Sequence, residues 1–314
     1  MPELIIWIVI FIVSLFVLIK ASDFFTDSAE QIGLFLGISP FLIGVTIVSV
    51  GTSMPELISS IVAVYQNSSE IVFGNVIGSN IANIFLIIGV ASLISSPLRI
   101  QYELINVDLP LFVGSTFLLG LTVLDGEFSL NEAIICILGY IVYVLYTISS
   151  GKEEQRSDVE NKSNRSLPLK PIVIVVVSSL FIFLGANYTI ESVTKISEIL
   201  NIGKELIALS AVALGTSLPE LIVTISAARK GKPEIAVGNV LGSNIFNSLM
   251  VMGIPRFIGE LVIPQDVVGS GLLVLLVGTI LFFFVTQDKQ VTRWEGLIFF
   301  LFYGWFIGNI FGLV

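Results

Sequence analysis

Apolar runs of about 20 residues, separated by short polar breaks, fill almost the whole chain, and that is the length a helix needs to cross a hydrocarbon core ~30 Å thick. Ten such runs are predicted, at 3–20, 40–65, 71–95, 108–124, 130–149, 171–190, 205–228, 235–258, 267–286 and 294–312. Between the fifth and sixth lies 151–170, a polar, charge-mixed stretch and the only real linker. The runs lack the apolar and polar alternation of barrel strands, so they read as helices. The fold class that follows is an all-α integral membrane protein with ten transmembrane helices.

Composition agrees with this pattern. Hydrophobic residues make up 55% of the chain and charged residues 12%, with a mean hydropathy of +0.99, which excludes an ordinary soluble domain. No charged n-region and cleavage site stands apart from the first apolar run, so that run reads as a retained span. There is no histidine, which removes the commonest transition-metal ligand and the usual proton shuttle. The one cysteine, Cys136, sits in an apolar stretch and reads as a small hydrophobe. The net charge of -9 indicates no partner, because in such a chain the placement of charge matters more than its sum.

The two halves repeat at an offset of 164 residues, so that Glu56 maps to Glu220, Ser79 to Ser243 and Asn83 to Asn247. Nineteen of thirty-three positions are identical between 51–83 and 215–247, without a gap. The chain therefore divides into an N-terminal five-helix repeat over 1–150, a short linker over 151–170 and a C-terminal five-helix repeat over 171–314. Five spans per half is an odd number, so the second copy enters the membrane from the opposite side and the repeats are inverted, an arrangement that places substrate sites near the midplane. With the N-terminus outside, twelve of the fifteen Lys and Arg fall inside and only Lys195, Lys204 and Arg256 fall outside. That bias predicts both termini outside and a cytoplasmic linker.

The strongest chemical signal is a carboxylate inside an apolar run, twice. Gly51-Thr52-Ser53-Met54-Pro55-Glu56 and Gly215-Thr216-Ser217-Leu218-Pro219-Glu220 each place a glutamate at membrane depth. An unpaired charge there costs at least ~2.5–3.5 kcal/mol, which makes it a functional residue by default. Pro55 cannot bond the carbonyl of Gly51, and glycine tolerates unusual backbone angles, so helices 2 and 7 are expected to break, the second near 51–53. Carbonyls freed there, and the hydroxyls of Thr52, Ser53, Thr216 and Ser217, are oxygen ligands. Ser53 to Glu56 also fits a capping box, but a neutral cap would serve without burying two charges. In the next span of each half, Gly74-Asn75-Val76-Ile77-Gly78-Ser79-Asn80-Ile81-Ala82-Asn83 matches Gly238-Asn239-Val240-Leu241-Gly242-Ser243-Asn244-Ile245-Phe246-Asn247. Asn75, Ser79 and Asn83 form one polar stripe, and the glycines beside it favour close helix packing. Ser79, Asn83, Ser243 and Asn247 are read as ligands.

Two Glu, two Asn and several hydroxyls, with no Cys or His, select a hard cation. Ca2+ takes six to eight oxygens in flexible geometry, whereas Mg2+ holds its waters. Na+ is hard and of similar size, so one pocket could serve both ions in turn. The reading is a secondary active antiporter exchanging Na+ for Ca2+ by alternating access. A Ca2+/H+ antiporter using the same carboxylates is the main alternative, and a passive cation channel, which needs a continuous pore, is a distant one.

At these residues the sequence resembles the sodium/calcium exchanger family, within the calcium/cation antiporters, and of the prokaryotic type. The resemblance implies ten helices around four clustered ion sites, with extrusion of Ca2+ by about three Na+. It implies Glu56 and Glu220 as the main ligands, oxygens from Thr52, Ser53, Thr216 and Ser217, outer Na+ sites completed by Ser79, Ser243 and the carbonyls of Ser49 and Ala213, and Asn83 and Asn247 at the centre. Potassium-dependent relatives carry an acid where this chain has Asn247, and proton-coupled relatives usually carry Gly-Asn-x-x-Glu, which this chain lacks. The linker is too short for a calcium-sensing domain. The resemblance also implies that the first and sixth helices slide to switch access, although here those helices carry no motif of their own. The expected partners are Ca2+ and Na+ as substrates and the lipid bilayer of the plasma membrane, with no nucleic acid, no obligatory protein partner, no cofactor and no enzymatic activity.

Overall fold

A computed structural model of the protein describes residues 2–105, 107–155, 169–200, 217–310 and 312. The helices are α1 Pro2–Leu36, α2 Pro40–Tyr65, α3 Glu70–Ile94, α4 Asp108–Thr122, α5 Leu130–Gln155, α6 Leu169–Ile199, α7 Leu218–Arg229, α8 Pro233–Phe257, α9 Gln265–Thr286 and α10 Arg293–Ile310. Seven of these are long and apolar enough to cross a membrane, and α4 is a shorter apolar helix. The part of the predicted seventh span that precedes Ser217 lies outside the described residues.

Burial sorts the helices into centre and periphery. The apolar stretch of α8 is 94% buried, against 17% for α1, so α8 is the axis and α1 is a flank. Side chains such as Ile5, Phe16, Leu121, Val142, Leu180 and Leu301 are exposed, the outward apolar surface that lipid requires. The centre is formed by α2 and α8 in backbone contact. A Cβ at Gly238 would lie 2.6 Å from the Phe41 carbonyl oxygen, and one at Gly44 would lie 2.7 Å from that of Ile235. This is how small residues bring membrane helices together where lipid supplies no hydrophobic drive. Gly74 and Gly78, the matching pair on α3, face no heavy atom within 4 Å among the described residues.

The outer helices α1 and α6 lie along each other, with Gly185 against the backbone of Leu18 and Thr189 bonded to Ser14 at 2.9 Å. Both run well past the predicted limits of 20 and 190. The continuation of α1 has no Gly or Pro before Gly33, and it carries Asp23, Asp27 and Glu30 along one side. Those acids meet the turn between α7 and α8. Lys230 reaches Asp27 at 2.8 Å, and Lys232 reaches Asp27 and Glu30, both at 2.8 Å. Partial burial pulls the Lys232 ammonium down, but Asp27 and Glu30 more than offset it and hold it above the usual lysine range. The matching positions in the first half, Gln66 and Ser68, carry no charge, so this ionic tie exists at one end only.

Two short strand pairs report how the halves meet. β1 (Leu98–Arg99) pairs with β4 (Gln290–Val291), and β2 (Glu127–Phe128) pairs with β3 (Leu261–Val262), both antiparallel. Leu98 faces Val291 and Glu127 faces Val262, and each of these pairs becomes the other under the 164-residue offset. Such exchange is what a two-fold relation between the halves produces. Cys136 is buried, as its apolar setting suggested.

Candidate functional site

The expected break in α2 at 51–53 is not where the sequence placed it, because residues 51–53 are helical and Pro55 lies inside a helix that continues from Ser49 to Tyr65. The distortion comes earlier, as a π-helical turn over Gly44–Val48. A π turn widens the helix and frees carbonyls without unwinding it, and such turns recur at functional sites. Those carbonyls are taken up locally: Thr46 Oγ1 donates to the Leu42 carbonyl, and Ser49 Oγ donates to that of Val45 at 2.7 Å. The capping-box reading of Ser53 fails for the same reason, since Ser53 sits within the helix. Its counterpart Ser217 does stand at the head of a helix, with Pro219 in the first turn, but its side chain makes no capping bond. The second π turn, Ala82–Ile87, lies in α3, and the third, Asn247–Val251, lies in α8. The first ends immediately before Ser49, and the other two contain Asn83 and Asn247.

Glu56 and Glu220 are both buried, 1% and 0% exposed, and are close enough to interact electrostatically. Ser53 Oγ donates to Glu220 Oε1 at 2.9 Å, which joins the two motifs directly. Glu220 Oε2 and both oxygens of Glu56 have no hydrogen-bond partner among the described residues. Thr52 Oγ1 donates to Asn239 Oδ1 at 3.2 Å and lies 3.3 Å from the carbonyl of Ser49. Ser49 in turn abuts α8, since a Cβ on Gly242 would lie 2.6 Å from its Oγ.

The halves are stitched by asparagines. Asn83 Nδ2 donates to Asn244 Oδ1 at 2.9 Å, and Asn247 Nδ2 donates to Asn80 Oδ1 at 3.2 Å, a pair related by the repeat. Asn80 Nδ2 also donates to Ser248 Oγ at 2.9 Å and to the Asn244 carbonyl at 3.3 Å. With their amide groups so committed, Asn83 and Asn247 each keep a buried Oδ1 with no partner among the described residues, as does Ser243 Oγ. Six of the nine buried side-chain atoms without a partner among the described residues therefore belong to Glu56, Glu220, Asn83, Asn247 and Ser243. Each such atom costs about 1–3 kcal/mol to bury. Ser79 and Ser217 are also buried, in α3 and at the head of α7, while Thr216 and Ala213 lie outside the described residues.

Among the described residues no cluster of three or more His, Cys, Asp or Glu occurs, so the donor set is two carboxylates and neutral oxygens. With both carboxylates ionised that set carries two negative charges, and it suits a hard cation and offers nothing to a soft one. The sequence reading passed over Asn80, Asn244, Asn239 and Thr224. The signal was present for the asparagines, whose types are identical between the repeats, but Asn80 lies three residues from Asn83 and not four, off the stripe being counted. Asn80→Leu removes three interhelical bonds worth about 0.6–1.7 kcal/mol each in a membrane interior. The expected loss is about 2–5 kcal/mol, read as a lower thermal unfolding midpoint in detergent, and a midpoint equal to wild type would remove the bridge from the list of what holds the halves together.

A family model for the sodium/calcium exchanger protein matches residues 6–149 and 170–312. The sodium/calcium exchanger MaX1 of Methanosarcina acetivorans is 35% identical, the match spanning 96% of this chain and 97% of the relative. An uncharacterized membrane protein of Methanocaldococcus jannaschii, MJ0091, is 31% identical across 93% of this chain and 94% of its own length. Among solved structures, the sodium-calcium exchanger NCX_Mj soaked with Na+ and Sr2+ superposes with a TM-score of 0.83 at 27% identity, covering 96% and 97% of the two chains. The duplicated acidic motifs, the multi-pass helical fold that carries them and these full-length matches place one conclusion beyond the geometry: the chain belongs to the sodium/calcium exchanger family.

Proposed function

We propose that the chain expels Ca2+ in exchange for Na+, by alternating access, with about three Na+ per Ca2+ at a site built on Glu56 and Glu220. One observation carries this reading: six oxygen atoms of Glu56, Glu220, Asn83, Asn247 and Ser243 are buried without partners among the described residues, and Ser53, one turn before Glu56, bonds the Glu220 carboxylate. Two negative charges balance one Ca2+, and the remaining donors are neutral oxygens of the kind Ca2+ and Na+ both accept. Thr52, Ser53, Ser79 and Ser217 supply hydroxyls, and the carbonyl of Ser49 an outer oxygen. Thr216 and Ala213 take the matching roles in the second half.

The organisation that goes with it is two inverted five-helix repeats, 1–150 and 171–314, joined by a cytoplasmic linker, with both termini outside a plasma membrane. The exchange-related asparagine and strand pairs support a two-fold relation between the halves. Exchange at three to one moves one net positive charge per cycle, so an imposed membrane potential should change its rate.

The deciding experiment is uptake of radiolabelled Ca2+ into proteoliposomes loaded with Na+, with and without an outward Na+ gradient, at fixed pH and without K+. Uptake that needs the Na+ gradient is the expected result. Uptake that ignores Na+ and follows an imposed pH gradient would replace Na+ by H+ as the coupling ion, and a requirement for added K+ would make the exchange potassium-dependent.

A further inference from the structure

Thr52 does not stand alone in the site. Its hydroxyl donates to Asn239 Oδ1 at 3.2 Å, and Asn239 Nδ2 donates to Thr224 Oγ1 at 2.9 Å. All three side chains are buried, at 1%, 0% and 0% exposure, and they come from α2, α8 and α7. The relay therefore runs from one half of the molecule into the other. Thr224 is one turn beyond Glu220 on α7, and Thr52 is one turn before Glu56 on α2, so it connects the two acidic helices at a second point besides the Ser53 contact.

A hydroxyl has one hydrogen and two lone pairs. To ligate a cation it must turn a lone pair to the ion and send its hydrogen elsewhere. A free rotor spends part of its time with the hydrogen toward the ion, and the ion must then pay to reorient it. An acceptor fixed on the far side removes that cost, which is the preorganisation that makes a buried ligand effective. Asn239 is such an acceptor, and it is itself held in place, because its amide nitrogen has a partner in Thr224. Two other acceptors lie within reach of Thr52: the Ser49 carbonyl at 3.3 Å, at the long end of hydrogen-bonding distance, and the Glu220 carboxylate, which a bound cation would itself engage.

We infer that Asn239 is a positioning residue: anchored by Thr224, it takes the hydroxyl hydrogen of Thr52 and so turns the Thr52 lone pairs toward the transported cation. This rests on Thr52 being a ligand, as proposed above. The residue type fits the task. Asp in its place would add a third negative charge and could not donate to Thr224, while an apolar residue would leave the Thr52 hydrogen to the Ser49 carbonyl and to the Glu220 carboxylate that the ion needs. The matching positions in the other half are Thr216, Asn75 and Ser60. They preserve the same residue types, Ser60 replacing Thr224, although Ser60 Oγ is buried without a partner among the described residues.

The test is equilibrium Ca2+ binding by titration calorimetry on purified protein, in a cycle of variants. Asn239→Leu should weaken Ca2+ about tenfold in the wild-type background and by the same factor in Thr52→Ser, which keeps a hydroxyl. In Thr52→Val it should cost nothing further, since there is no hydroxyl left to orient. An equal loss in the Thr52→Val background, or no loss in wild type, overturns the inference, because a residue that merely supports packing would weaken binding whatever stands at 52. Should Asn239→Leu not fold, Thr224→Val enters the same cycle, with a smaller loss in the same pattern. Glu56→Gln, run alongside, separates the two readings: if it binds Ca2+ as wild type does, the site assignment is wrong, whereas loss of binding there with additive behaviour at 239 and 52 removes only the relay.

Discussion

Glu56→Gln and Glu220→Gln each abolish Na+-driven Ca2+ uptake, in the expected result with the largest effect. Glutamine keeps the size of the side chain and one carbonyl oxygen but removes a full charge. At an effective dielectric of about 20, two unit charges 4 Å apart interact by about 4 kcal/mol, and a divalent ion doubles that. Losing even ~3 kcal/mol of it lowers affinity more than a hundredfold. The effect should be larger for Ca2+ than for Na+, because the interaction scales with the charge of the ion. Both variants should still fold. The Glu56 carboxylate has no hydrogen bond to lose among the described residues, and a glutamine carbonyl at 220 can accept from Ser53 as the carboxylate does. The check is labelled Ca2+ uptake in proteoliposomes, with a thermal melt of each variant beside it. Wild-type uptake by either variant would take that residue out of the site.

Gly242→Ala is the second, and it acts without touching charge. The new Cβ would lie 2.5 Å from the Val45 carbonyl oxygen and 2.6 Å from both Val45 Cα and Ser49 Oγ. Two of those three atoms are backbone on the facing helix, so no side-chain rotation relieves the contact and α2 must move off α8. Overpacking of this kind costs about 1–3 kcal/mol. The displaced segment, 45–49, leads directly into Thr52 and Ser53, so flux should fall at least tenfold along with the unfolding midpoint. Gly114→Ala on α4 is the control. A Cβ there meets nothing within 4 Å among the described residues, and replacing Gly by Ala in an open helix position ordinarily gains about 0.5–1 kcal/mol. Opposite signs from one substitution type are the expected outcome, and a Gly242→Ala protein as stable and active as wild type would show that the helices can separate freely.

Much of this was legible in the chain alone, for reasons that are local. A bilayer demands about 20 apolar residues per span, so the helices could be counted, and burying a charge is so unfavourable that two glutamates in apolar runs already announced a site. Gene duplication left the same motifs twice, which tied Glu56 to Glu220 and Asn83 to Asn247 before any distance was known. What the sequence could not determine depends on atoms brought together from far along the chain. Pro55 suggested a break beside it, yet the helix departs from α geometry at Gly44–Val48, where the close face of α8 at Gly238 and Gly242 meets its backbone. The extension of α1 past its apolar run carries Asp27 and Glu30, whose partners Lys230 and Lys232 lie about two hundred residues away in the chain. Asn80, Asn239 and Thr224 could be seen as polar residues in apolar helices, but their partners lie on other helices. A hydrophobic pattern records which face of a helix is buried, whereas only the packed helices decide which buried polar atoms find each other and which are left for an ion.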